Sequence, residues 1–109
     1  MTRANINAML QAIGLPYEYD HFEVGKAPAL PFITFTYPQS NNFAADNIVY
    51  TKRSGIVIEL YCAHKDFALE DRIEDVLDQY EVFYNKNEVF IDSERAYQIT
   101  YELEDIING

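Results

Sequence analysis

The sequence predicts an α+β domain in which two helices pack on one face of a largely antiparallel sheet of about four to six strands. Helical spacing of apolar residues occurs twice, and segments rich in β-branched and aromatic residues follow each occurrence. Residues 1–109 are expected to form a single domain, because this length suits one compact core and no linker-like or repetitive tract divides the chain.

The first helix is predicted to start after Thr2, a residue type that caps helix N-termini. Its apolar stripe consists of Ile6, Met9, Leu10 and Ile13. Gly14 and the proline two residues later end the pattern. The result is a short amphipathic helix that needs a partner surface.

The next part of the chain predicts strands separated by a loop. Residues 17–24 mix aromatic and acidic side chains in a strand-like rhythm, and residues 31–37 are dense in β-branched and aromatic ones. Residues 38–46 begin with turn chemistry and predict a polar loop longer than the usual hairpin connection. Residues 47–63 return to strand character with an interruption at residues 52–55, which predicts one long bulged strand or two short ones.

The second helix is predicted to begin at Asp66, which suits an N-cap. Its stripe, at a period of 3.6 residues, consists of Leu69, Ile73, Val76, Leu77 and Tyr80. Residues 85–87 are then predicted to form a polar turn, and residues 89–92 a short strand.

Two strands are predicted to have one buried face and one wet face. Residues 55–62 form the strongest β segment, and Glu59 indicates that one of its faces is not fully buried. Residues 96–106 alternate apolar and polar side chains along the last strand.

The charge excludes several functions. Eighteen acidic residues against eight lysines and arginines give a formal charge of -10, which disfavours a clamp on phosphate or on an anionic membrane and predicts no sequence-specific nucleic-acid binding. No apolar run has the length of a signal-peptide core or a membrane span. Cys62 is the only cysteine, in agreement with a reducing compartment, and we expect the protein to remain in the cytoplasm where it is made.

The sequence also lacks catalytic signatures. His21 and His64 do not have the spacing of zinc ligands, and no serine lies in a nucleophile elbow. Four scattered glycines form no phosphate-binding loop. We therefore expect no cofactor, no metal and no enzymatic activity.

The predicted second helix is strongly acidic. Glu70, Glu74 and Asp78 are spaced four residues apart and should share one side of it. A solvated face and a surface for a basic partner are both compatible with this pattern. A metal site is disfavoured, because oxygen ligands usually converge from different elements or a dedicated loop.

Lys52 and Arg53 form the only adjacent basic pair, and Phe43 and Tyr50 lie near them in sequence, beside the polar loop. Isolated exposed basic side chains are one interpretation. The other is that this region meets the acidic helix of a neighbouring copy, since opposite patches on one surface permit head-to-tail association and ring closure.

The order of these segments resembles the small tail terminator or tail-completion proteins of long-tailed phages and prophages. The likeness covers most of the chain and is carried by residues 30–35 (LPFITF), 45–50 (ADNIVY) and 55–61 (GIVIELY), by Lys65-Asp66 and Leu69-Glu70 before a helix, and by the final pattern Tyr97-x-x-x-Tyr101-Glu-Leu-Glu104. The resemblance implies a structural subunit that forms a ring, expected to be a hexamer, on the tail tube protein. Such a ring ends tube polymerisation and offers a surface to the head connector or neck proteins. It also implies a location in the host cytoplasm during assembly and then in the virion tail.

Three other interpretations stay open. A neck or head-closure protein belongs to the same structural class. An acidic inhibitor or DNA mimic would explain the charge and the acidic helix, and would bind a basic partner without forming a ring. A small carboxylate-dependent enzyme would need two acids that converge with perturbed pKa values.

Overall fold

A computed structural model describes residues 2–38, 40, 43–45, 49–51 and 53–107, and these residues contain two α-helices, seven β-strands and one 3₁₀ turn. In chain order the elements are α1 (Arg3–Ile13), β1 (Tyr17–Tyr19), β2 (Phe32–Thr36), β3 (Phe43–Ala45), β4 (Val49–Thr51), β5 (Arg53–Cys62), α2 (Phe67–Gln79), β6 (Tyr84–Ile91), the 3₁₀ turn (Asp92–Glu94) and β7 (Ala96–Ile107). The α+β class predicted from the sequence is confirmed.

Helix α1 begins and ends as its sequence predicts. The Thr2 hydroxyl accepts a hydrogen bond from the Asn5 backbone N–H at 3.3 Å, and the Asn5 side chain accepts one from the Thr2 N–H at 2.9 Å. This capping box satisfies two N–H groups that the helix leaves free. Gly14 ends the helix at φ +83°, a left-handed conformation that favours glycine.

Helix α2 is capped by Asp66, whose side chain accepts a hydrogen bond from the Leu69 N–H at 3.0 Å. The stripe from Leu69 to Leu77 is buried, and Tyr80 follows it as a half-buried C-cap residue. Neither described helix is long and apolar enough to cross a membrane.

The main sheet has the strand order β1-β2-β5-β7-β6. Only the β1–β2 pair is parallel among its described pairs, so the largely antiparallel prediction is confirmed. Ile33, Leu60 and Ile99 are paired across the three central strands and are fully buried. They belong to one core with the apolar stripes of both helices, which places both helices on the same face of the sheet.

Two predictions in the first half need correction. The strand expected over residues 17–24 ends at Tyr19, because Asp20 takes a positive φ of 62° and turns the chain. The loop expected over residues 38–46 contains β3, which pairs with β4 and thereby gains backbone hydrogen bonds that a loop would lack.

The predicted interruption at residues 52–55 is present as two features. β4 and β5 are separate strands, and the register between β5 and β7 shifts between Ser54 and Ile56. Lys52, between the two strands, lies outside the described residues.

The turn predicted at residues 85–87 is wrong. These residues lie inside β6, where Lys86 pairs with Tyr101 of β7. β6 is an edge strand and most of its residues are exposed, so polar side chains do not exclude strand structure here. The predicted alternation of β7 is confirmed by the burial of Ile99, Tyr101 and Leu103.

Candidate assembly surface

A group of charged side chains joins α2 to β6, and we call it the lysine–carboxylate cluster. Its members are Lys65, Glu70, Glu74, Lys86 and Glu88. Glu70 is only 1% exposed, and its two carboxylate oxygens lie 2.6 Å from Lys65 Nζ and 2.7 Å from Lys86 Nζ. Lys86 also lies 2.8 Å from Glu74, and Lys65 contacts Glu88. Each ammonium group therefore bridges two carboxylates.

The cluster compensates its own charges. Burial alone raises the pKa of the Glu70 carboxyl, but hydrogen bonds from Lys65 and Lys86 and their positive charges outweigh it, so that the pKa is lowered. Burial also raises the pKa of Glu74, but hydrogen bonds from Lys86, Tyr101 and Tyr84 and the positive charge of Lys86 outweigh it, so that this pKa is lowered as well. Both carboxylates are thus held ionised by groups of the same chain.

This arrangement changes the acidic face predicted for α2. The prediction of a shared solvated face is wrong for Glu70, because β6 places Lys86 over it and buries it. Glu74 is turned inward, where its oxygens accept hydrogen bonds from Tyr84 at 3.1 Å and Tyr101 at 2.9 Å. Asp78 is exposed, as expected for a solvated position.

The opposite side of the main sheet has a different composition, and we call its three central strands the open face, because both helices pack on the other side. The open face is a grid of nine paired residues: Phe32, Thr34 and Thr36 of β2, Val57, Glu59 and Tyr61 of β5, and Gln98, Thr100 and Glu102 of β7. Two of these nine side chains are carboxylates and none is a cation.

Glu59 lies at the centre of the open face and is bound by neutral donors. Its Oε2 accepts hydrogen bonds from the Tyr61 hydroxyl at 2.6 Å and from Gln98 Nε2 at 2.9 Å. Burial and the hydrogen bond to Glu59 raise the pKa of Tyr61, so its hydroxyl stays protonated as a donor. Within the described residues no ion pair joins Glu59 to a cation.

Aromatic side chains lie at one end of the open face. The rings of Phe32 and Tyr61 are 5.3 Å apart, and Phe22 packs against Phe32 at 5.0 Å. Next to them is a groove of about 550 Å³ lined by Ala27, Leu30, Phe32, Tyr61, Ile91, Ser93, Glu94 and Ala96. The open face thus combines apolar surface with carboxylates.

The hairpin formed by β3 and β4 stands as a sheet of its own. Within the described residues these strands pair with each other and not with the main sheet, with Phe43 opposite Thr51 and Tyr50 opposite Ala44. A two-stranded hairpin alone is marginally stable in water. The structure thus brings the predicted interface residues Phe43 and Tyr50 into one hairpin and places Arg53 at the first position of β5.

Cys62 and His21 have different surroundings. Cys62 is 4% exposed, and burial, followed by the nearby charges of Asp66 and Glu70, raises the pKa of its thiol to about 11. His21 is exposed and paired with Asp20 at 2.7 Å. The described residues contain no group of three or more His, Cys, Asp or Glu that could hold a metal ion.

No family model and no curated protein matches this chain. Function is therefore argued from the residues. The sequence analysis missed Lys86 as a site residue, because residues 85–87 were assigned to a turn. It placed Glu59 on a partly exposed face of its strand and assigned no further role to it. A signal for Lys86 was present, since it is a cation beside a strand in a chain with few cations, but nothing local links it to Glu70 sixteen positions earlier.

Proposed function

We propose that this chain is a structural assembly protein of a long-tailed phage or prophage. In this proposal, copies of the chain form a ring on the end of the tail tube, end its polymerisation and provide the surface to which the head is joined. The sequence resemblance described above supports this function. The ring is expected to be a hexamer, and the protein would act first in the host cytoplasm and then in the virion tail.

The observation that carries the proposal is the β3–β4 hairpin. It pairs outside the main sheet within the described residues, and such a hairpin gains stability when another surface covers it. The radius of gyration of 15.1 Å exceeds the roughly 13 Å typical of a compact domain of this length, in agreement with an elongated shape. A hairpin that pairs outside the main sheet offers a subunit a segment with which to contact a neighbour.

The charge also suits a ring around a DNA path. A formal charge of -10 disfavours tight binding of phosphate, so DNA can pass through such a ring without being held.

Negative-stain electron microscopy of purified tail tubes, with and without the protein, tests the proposal. The expected result is a ring at one end of each tube, together with a bound mass of several copies per tube end. The control is a sample of tubes sheared to expose fresh ends. The amount of protein bound per capped end should be the same in the sheared and the intact samples. Protein that stays monomeric beside unmodified tube ends would contradict the proposal.

An acidic inhibitor is the second candidate, and the exposed side of α2 favours it. Asp71, Asp75 and Asp78 are all exposed there and form no ion pair with a described residue. This function requires a monomer or dimer that binds a basic partner and loses that binding in high salt. A neck or head-closure protein, in contrast, would bind the head connector and leave tube growth unchanged.

A further inference from the structure

We propose that the free edge of β6 is the docking site for β6 of a second copy of this chain, which pairs with it in the antiparallel direction. The five-stranded main sheets of the two copies then join into one continuous sheet. Such a contact is complete with two copies, because each copy contributes the same surface. It therefore goes beyond the proposed ring function and concerns the free protein, away from tail tubes.

The edge of β6 has free main-chain groups. Within the described residues this strand pairs with β7 on one side only, and residues 85–90 are all exposed. An edge strand of eight residues presents a row of N–H and C=O groups that a further strand can satisfy. The other edge strand of the main sheet, β1, has three residues and offers fewer of these groups.

Exposed apolar side chains are also concentrated at this edge. Six large apolar side chains are exposed among the described residues, and three of them lie in or directly before β6. These are Phe83, Val89 and Phe90, which are 68%, 45% and 43% exposed. Three such side chains within eight positions of an unpaired strand edge indicate a surface that a partner covers.

Symmetry restricts how two β6 strands can pair. When identical strands pair in the antiparallel direction, the two-fold axis is normal to the sheet, so residues opposite each other lie on the same face. Because successive side chains alternate between faces, each possible register has one residue on the axis, opposite its own copy. The registers centred on residues 87 and 88 pair the longest parts of β6, residues 84–90 and 85–91.

Charge favours the register centred on Asn87. With residue 86 on the axis two lysines lie opposite each other, and with residue 88 on the axis two glutamates do. With Asn87 on the axis, Lys86 lies opposite Glu88 of the second copy, and Tyr84 lies opposite its Phe90. Both pairs occur twice by symmetry. The central register thus matches opposite charges and aromatic rings, and its two neighbours bring like charges together.

The lysine–carboxylate cluster is compatible with these pairs. Lys86 Nζ has three N–H donors and contacts two carboxylates of its own chain, Glu70 and Glu74. Glu88 binds Lys65 through Oε1, which leaves Oε2 as a further acceptor. The third donor of Lys86 can therefore bind Glu88 of the second copy. Most of the affinity comes from about six to eight main-chain hydrogen bonds, and the charges set the register.

The exposed side of α2 is less suited to a second copy. Phe67 is 69% exposed at the start of this helix. Asp71, Asp75 and Asp78 are exposed on the same side and would lie against the same residues of the second copy, so like charges would repel. The main chain of a helix is also hydrogen-bonded within the helix. The edge of β6 instead combines free main chain, apolar side chains and charges that match in one register.

Disulfide cross-linking of the free protein tests this contact. In Asn87→Cys the two new thiols lie opposite each other, with Cα atoms about 4.5–5.5 Å apart, which suits a disulfide. The matched variant is Asn85→Cys, on the same face of β6, whose two thiols lie four residues apart along the strands, at about 14 Å. Both positions are exposed. Wild-type Cys62 can stay in place, because it is buried and does not compete for oxidation.

The expected result is a disulfide-linked dimer from Asn87→Cys, with a yield about ten times that from Asn85→Cys or more. Equal yields, a higher yield from Asn85→Cys, or no product from either variant would overturn the inference. Sedimentation of the wild-type protein should show an equilibrium between monomer and dimer. Association beyond two copies, or a monomer at all concentrations up to about 0.5 mM, would also overturn it. Capping of tail tubes is measured separately, so these outcomes leave the proposed function untouched.

A charge exchange at one position gives a second test that does not depend on cysteine geometry. Asn87→Asp and Asn87→Lys each place like charges opposite each other and should raise the Kd of the dimer about threefold or more. An equimolar mixture of the two should restore association, because a carboxylate then lies opposite an ammonium group. The matched exchange, Asn85→Asp mixed with Asn85→Lys, should show no comparable gain. A gain at position 85 and none at position 87 would overturn the inference, as would no gain at either position.

Discussion

Replacing Glu70 by glutamine tests the lysine–carboxylate cluster most directly. Glutamine keeps the shape of the side chain and removes its charge, so Lys65 and Lys86 lose their shared partner. Each lysine keeps one other carboxylate, Glu88 and Glu74 respectively. The change therefore removes the centre of the cluster and leaves its two ends.

The magnitude follows from burial. Breaking a buried ion pair by removing one partner costs about 3–5 kcal/mol. Glu70 is 1% exposed, but the side chains of Lys65 and Lys86 are 26% and 34% exposed, so both can turn toward water. The cost should thus fall below that range, at about 2 kcal/mol of the free energy of unfolding. This corresponds to a decrease in Tm of about 8–10 °C for a domain of this size.

Urea unfolding followed by far-UV circular dichroism measures this cost. The matched control is Asp71→Asn, which removes a charge from the neighbouring exposed position and should change the free energy of unfolding by less than about 0.5 kcal/mol. The wild type and Glu70→Gln should also converge in stability at acid pH, where the native carboxylate is protonated. Equal stability of Glu70→Gln and Asp71→Asn at pH 7 would refute the reasoning.

Three further predictions concern the same structure. The lowered pKa values of Glu70 and Glu74 contribute stability that is complete above the ordinary value of 4.5 and is lost as the pH falls through the lowered values. The raised pKa values of Lys65 and Lys86 contribute stability that is complete below 10.5 and is lost as the pH rises through the raised values. The Tm should therefore decline on both sides of a plateau. A flat Tm from pH 7 to pH 2 would contradict this. Asp66→Ala removes the N-cap of α2 and should cost about 1 kcal/mol in urea unfolding. The buried Cys62 thiol, with its pKa raised to about 11, should react with iodoacetamide at pH 8 much more slowly in the folded protein than in urea.

Periodicity was sufficient for the helices and the central strands. The stripes that end at Ile13 and Leu77 and the alternation in β5 and β7 report burial against one core, and local sequence carries that signal. Residues 85–87 were assigned to a turn because their polarity is common to turns and to exposed edge strands. The strand β3 is short, and the pairing that stabilises it comes from β4.

The site was less predictable than the fold. A spacing of four residues correctly places Glu70 and Glu74 on one side of α2, but it cannot show which element covers that side. Lys86 comes from β6 and pairs with Glu70, which is buried where a solvated face was expected. The open face became evident only when the strand order placed Glu59 beside Gln98, which is 39 positions away in sequence. Contacts of this kind depend on topology and have no local pattern.

The length of tail tubes grown in the presence of the protein is the most direct measure of the proposed function. Tube protein is allowed to polymerise, the chain is added at about one ring per tube end, and tube lengths are then measured over time by electron microscopy. The account predicts that lengths stop increasing at the moment of addition, while Lys52→Glu with Arg53→Glu leaves growth unchanged. Continued growth with the wild-type protein, at the rate seen without it, would contradict the account.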